Sequence, residues 1–133
     1  MIPAAELKRI AARNGVALSV VEKDYATTWI LCALSKCRSK DVFIFKGGTA
    51  LRKIYFPDWR YSEDLDFTTQ PLRKKEIDNI ILTVNNYLIE KAGMRITLKS
   101  AHLNPEYAQL KIQFLGPLHH ENTIKVVLTS WLF

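Results

Sequence analysis

The chain has little of several things, and each shortage narrows what it can be. Two cysteines, Cys32 and Cys37, are too few for a disulfide framework and have no zinc-ligand companions. Their five-residue spacing inside a helical pattern reads as reduced thiols of a cytoplasmic protein, with Cys32 in the core. Three histidines, His102 and the pair His119-His120, lack metal-binding spacing, and the pair falls in an expected hairpin loop, where polar residues meet solvent. No apolar run is long enough to span a bilayer, and the N-terminus carries Glu6, Lys8 and Arg9, unlike a secretory signal. There is no internal repeat, low-complexity segment or Gly/Ser linker. Acidic residues are the scarcer charge: 13 Asp and Glu face 19 Lys and Arg, a net +6. That excess suits polyanionic partners such as nucleotides or nucleic acid, and equally suits a solvated basic face.

What remains is the composition of a soluble globular protein, 48% hydrophobic over 133 residues, enough for one domain with a real core and short for two. Residues 3–14 read as a helix that Asn14-Gly15 ends. A second helix is expected from Ser19, where Ser19 and Glu22 have capping-box spacing, to about Cys37, with Val21, Tyr25, Trp29, Cys32 and Leu34 as its apolar positions. Asp41 to Phe45 is short, β-branched and aromatic, a buried strand broken by Gly47-Gly48. A helix from Thr49 to about Tyr55, a loop at Pro57 to Arg60 and a strand from Leu65 to Thr69 follow. The next helix runs from Pro71 or Leu72 to Lys91, with a stripe of Ile77, Ile80, Ile81, Val84, Leu88 and Ile89, and Gly93 ends it. Met94–His102, Ala108–Phe114 and Thr123–Leu128 alternate as strands, the last two joined by a hairpin loop from Gly116-Pro117 to Asn122. This order predicts an α+β (α/β) domain, a mixed sheet of about five strands flanked by helices, spanning 1–133. The apolar end, Ser130-Trp131-Leu132-Phe133, suggests the N-terminal part of a longer protein.

Two motifs carry chemistry. In Lys46-Gly47-Gly48-Thr49, the glycines let the backbone approach a ligand closely, Thr49 opens a helix whose first N–H groups and hydroxyl suit a phosphate, and Lys46 adds a cation. Alone, Gly-Gly-Thr is more often a tight turn. In Arg60-Tyr61-Ser62-Glu63-Asp64-Leu65-Asp66-Phe67, Asp64 and Asp66 point to one face of a strand, because side chains i and i+2 share a face. Two adjacent carboxylates repel unless a cation lies between them, which makes Mg2+ or Mn2+ the natural occupant. Alone, Asp-x-Asp is also the pattern of a surface acidic turn. Together the motifs set a phosphate-holding turn beside a metal-holding pair, the two parts nucleotidyl transfer requires. Arg60 and Ser62 lie beside the acids. Arg60 suits a phosphate or an ion pair with Glu63 or Asp64, while Glu63 faces away.

At these residues the chain resembles the AbiEii/MenT-type nucleotidyltransferases of the DNA polymerase beta-like superfamily. The likeness lies in Phe45 to Leu51 and Arg60 to Phe67, in Glu22-Lys23-Asp24-Tyr25, and in Leu115-Gly116-Pro117 and Ile124-Lys125-Val126. It covers nearly all of this chain but only the first half of a usual member. It implies transfer of a nucleoside monophosphate from a nucleoside triphosphate to RNA, tRNA where an acceptor is known, or to protein, by the toxin of a bacterial toxin–antitoxin or abortive-infection system with a cognate antitoxin. Asp64 and Asp66 would be catalytic and metal-binding, and Lys46, Gly47, Gly48, Thr49, Arg60 and Ser62 nucleotide-binding. Lys23 and Asp24 would support the site, and Lys111 and Lys125 would face the triphosphate or form a solvated sheet face. One departure is visible. Members usually have a third acid where this chain has Val127, and no Asp or Glu follows Glu121. A catalytically impaired nucleotide-, RNA- or antitoxin-binding module is therefore the alternative.

Overall fold

The structure, a computed structural model, describes residues 1–37, 43–50, 53, 61 and 63–130. Its elements run α1 (Ala4–Asn14), α2 (Leu18–Ser35), β1 (Phe43–Lys46), α3 (Gly47–Ala50), β2 (Asp64–Thr69), α4 (Lys74–Ala92), β3 (Arg95–Asn104), β4 (Tyr107–Leu115) and β5 (Glu121–Ser130). Among the described residues the expected mixed sheet has five strands, in the order β1-β2-β5-β4-β3. All neighbours pair antiparallel except β2 and β5, which are parallel. The last strand thus inserts beside the acidic one, and that insertion builds the site.

Alternation decides which face is buried. Leu65 and Phe67 of β2 point inward, as do Leu110, Ile112 and Phe114 of β4 and Ile124, Val126 and Leu128 of β5. They pack against Ala26, Ile30 and Ala33 of α2 and Ile77, Val84, Leu88 and Ala92 of α4. Burying each large aliphatic side chain contributes about 1.5–3 kcal/mol. Phe67 meets Phe43 edge-on at 5.4 Å and Phe45 at 5.5 Å, which seats the short β1. The opposite face carries Asp64 and Asp66, and beside them Lys125 and Val127.

The helix ends follow local chemistry. Gly15 and Gly93 take the left-handed conformation (φ 65° and 66°) that closes α1 and α4. At the start of α4 the Glu76 carboxylate accepts the Arg73 backbone N–H at 3.1 Å. The expectations for α2 need correcting. It begins one residue before Ser19, with Ala17 as its cap and no side-chain cap bond, so there is no Ser19–Glu22 capping box. Glu22 instead lies fully buried, accepting hydrogen bonds from the Leu118 backbone N–H (2.9 Å) and the Asn122 amide (3.0 Å). Its buried positions also differ from the expected stripe, because α2 is covered on more than one side: Val21 and Tyr25 meet α1, while Ala26, Ile30 and Ala33 meet the main core. Cys37, rather than Cys32, is the buried thiol; Cys32 is half-buried, its sulfur 3.4 Å from the Tyr87 hydroxyl. Burial pushes the Cys37 thiol pKa up.

Candidate active site

The site forms where β1, β2 and β5 lie side by side. Lys46, the last residue of β1, is in register with Asp66 of β2. On the other side of β2, Asp64 is in register with Lys125 and Asp66 with Val127. Register partners project to the same face, so the two carboxylates stand between a lysine from each neighbouring strand. The Lys125 ammonium is 3.5 Å from Asp64 Oδ2.

The glycine turn abuts the acids directly. Gly47 has φ 84°, and a Cβ built there would lie 2.5 Å from Asp66 Oδ2. Any other residue would be strained and would displace the carboxylate, so the first glycine is required twice, by conformation and by space. Thr49 is buried, and its hydroxyl donates to the Asp64 carbonyl oxygen at 2.5 Å. It braces the first residue of β2 against the turn, and so locks the two motifs together at main-chain level. The geometry thereby joins Lys46, Gly47, Gly48, Thr49, Asp64 and Asp66. Arg60 and Ser62 lie outside the described residues, as do most of the expected Thr49–Tyr55 helix and the terminal Trp131-Leu132-Phe133.

The Asp66 pKa is raised, first by burial and then by the charge of Asp64, while Lys46 and Lys125 pull it down. A carboxylate held at such a cost is suited to a cation. Two carboxylates on one face, with a cradle beside Asp66 that a Cβ would fill, fit the oxygen-only chemistry of a hard divalent ion. Among the described residues no group of three or more His, Cys, Asp and Glu side chains could hold a metal. The position beside Asp66 on β5 is Val127, which has no donor atom.

On the side of Asp64 away from β1 the sheet opens into a groove of about 320 Å³. Lys23, Lys111, Lys125 and His102 line it, against Glu63 and Asp64. The segment Glu22-Lys23-Asp24-Tyr25, in which Lys23 and Asp24 read as a solvated helix face from the residues alone, ties four distant segments together. Glu22 holds the β4–β5 loop. Lys23 Nζ lies 3.5 Å from Glu63. Asp24 pairs with Lys53 at 2.7 Å, and the Tyr25 hydroxyl accepts the Ile2 backbone N–H. Only the charge of Lys23 and Asp24 hinted at this, since their partners are distant in sequence.

A mixed sheet with a glycine turn closing on paired strand carboxylates has the architecture of a nucleotidyltransferase. The comparisons carry this further. Residues 29–127 match the family model described as nucleotidyl transferase AbiEii toxin, type IV toxin–antitoxin system, and the chain belongs to that family. Its fold is similar to that of MenT4, a nucleotidyltransferase toxin from Mycobacterium tuberculosis H37Rv, with a TM-score of 0.65 and 25% identity. The match covers 98% of this chain and 44% of MenT4, so the chain spans less than half the length of that toxin. No curated protein matches by sequence.

Proposed function

We propose that this chain is the catalytic portion of a metal-dependent nucleotidyltransferase that moves a nucleoside monophosphate from a triphosphate to an RNA acceptor, as the toxin of a bacterial toxin–antitoxin pair. The observation that carries this reading is the seating of the Asp66 carboxylate against Gly47, which makes the phosphate turn and the acid pair one site. Asp64 and Asp66 hold the divalent cation, Mg2+ or Mn2+, which when bound offsets the charge of the triphosphate. The Gly47–Gly48 backbone approaches the β- and γ-phosphates, with Thr49 bracing the turn and Lys46 offsetting charge. Arg60 and Ser62 join them in binding nucleotide. Lys111 and Lys125 line the side from which the acceptor hydroxyl attacks the α-phosphate, in line with the leaving pyrophosphate. A cytoplasmic location supplies the nucleotide; no helix among the described residues is long and apolar enough to cross a membrane.

The test uses each α-labelled nucleoside triphosphate with magnesium and total tRNA. Label is expected on RNA with the unaltered protein and absent with the Asp64→Ala/Asp66→Ala double variant. Equal labelling by both proteins would overturn the reading. A second reading, a binding module without turnover, is favoured by Val127 standing beside Asp66. It predicts retained nucleotide binding and no transfer, with activity gained by Val127→Asp.

A further inference from the structure

We propose that the outer edge of β3 docks an acidic, extended segment of a partner protein, which joins the sheet as a further strand. The proposal needs neither the metal nor the nucleotide. β3 ends the strand order of the described sheet, and an edge strand turns alternate N–H and C=O groups away from its neighbour. Which residues do so follows from the register. The Ile96 N–H donates to the Asn85 side chain of α4 at 2.9 Å, so it points away from β4. Ile96 stands opposite Phe114. Ile112, Leu110 and Ala108 follow at alternate positions of β4, opposite Leu98, Ala101 and Leu103. Those three residues of β3 therefore also turn their main-chain groups outward. Asn85 occupies the first edge position, so a docked strand begins at Leu98.

The side chains around this edge select the occupant. On α4, Leu82 and Ile89 lie one turn before and one turn after Asn85, on the helix face that reaches the edge. Leu82 is 59% exposed, and Leu103 on β3 itself 38%. They offer a docked strand apolar surface on its helix side. The charge along the edge has one sign. β3 carries Arg95 and Lys99, both exposed, and no acidic residue. Asp78 and Glu90 on α4 are already matched by Lys74 at 2.7 Å and Lys91 at 3.8 Å, and Glu106 lies in the β3–β4 turn. Lys99 is the extra residue at the register shift between Leu98 and Ser100, in the middle of the edge. A lysine and a bulge there oppose indiscriminate pairing. They work against a second copy in particular, since antiparallel pairing through the middle of β3 sets Lys99 against Lys99. A strand bearing carboxylates meets the same lysine favourably, and the net charge of +6 draws it in.

The probe is a fluorescent peptide of alternating valine and glutamate, with alternating valine and lysine as its counterpart. Binding is read by anisotropy and mapped by amide hydrogen exchange of the protein. The acidic peptide is expected to bind and to slow exchange at Leu98, Ala101 and Leu103, and the basic peptide to do neither. Lys99→Glu should weaken the acidic peptide about five-fold and admit the basic one. Ala101→Pro removes one outward N–H and no ladder bond to β4, and should abolish binding. Circular dichroism shows whether that variant keeps its fold; if it does not, the exposed change Lys99→Glu decides. An acidic peptide that fails to bind, or that protects only the groove of Lys23, Lys111 and Lys125, would overturn the proposal. So would a concentration-dependent dimer of the unaltered protein that Ala101→Pro dissolves, since a second copy would then hold the edge.

Discussion

At Gly47 one absent side chain makes room for another residue's charge. The left-handed backbone and the 2.5 Å gap between a built Cβ and Asp66 Oδ2 act together. Gly47→Ala is therefore expected to lower stability by about 1–2 kcal/mol from backbone strain, and further through displacement of Asp66. Urea denaturation measures the first, and loss of label transfer the second. Asp66 illustrates a cost in the opposite direction. Its raised pKa comes from burial and from Asp64, so the folded metal-free protein disfavours the ionised carboxylate. The fold holds that proton more tightly than the unfolded chain does. Stability from this group is thus fully present below the ordinary Asp pKa near 3.8 and is lost as pH rises through the raised value. Asp66→Asn should raise the melting temperature of metal-free protein at pH 7 by roughly 2 °C, and the gain should shrink toward pH 4. A gain independent of pH would point to packing instead of charge. Both motifs were legible as residue types. The contact between them was not, because a pattern of residues specifies which groups are present and not which atoms touch.

The elements were legible where periodicity was strong and covered on one side. The α4 periodicity predicts a stripe from Ile77 to Ile89: Ile77, Val84 and Leu88 are buried and Ile80 and Ile81 pack partly against the core, while Ile89 at the end is exposed. In α2 the same reasoning failed, since a helix wrapped by α1, α4 and the sheet has no single apolar stripe to detect. Its most consequential residue is polar. Glu22 joins α2 to the β4–β5 loop across 96 residues through the Leu118 N–H, and Gly116 lacks the side chain that would otherwise approach its Oε2 to 2.9 Å. Glu22→Ala leaves the Leu118 N–H and the Asn122 amide without this acceptor and should cost about 1–3 kcal/mol. Glu22→Gln retains an oxygen for one of those bonds and should cost less. Chemical denaturation of the two variants beside the unaltered protein measures the difference. Equal losses would mean that the side chain's volume, and not its hydrogen bonds, fixes the loop.

For the whole molecule, the deciding event is the insertion of β5 between β2 and β4. It brings Lys125 and Val127 to the acids and carries Lys111 into the same groove. The sequence by itself determined the class of fold, the glycine turn and the acid pair, because these depend on local conformation and on the alternation of side chains along a strand. It determined the family as well, through motifs short enough to be read in order. Strand order, the register that sets Val127 beside Asp66, and the roles of Glu22 and Lys23 were decided only in the tertiary structure. Each depends on contacts between residues distant along the chain, and those contacts are selected by burying one face of the whole sheet together, not by any segment alone.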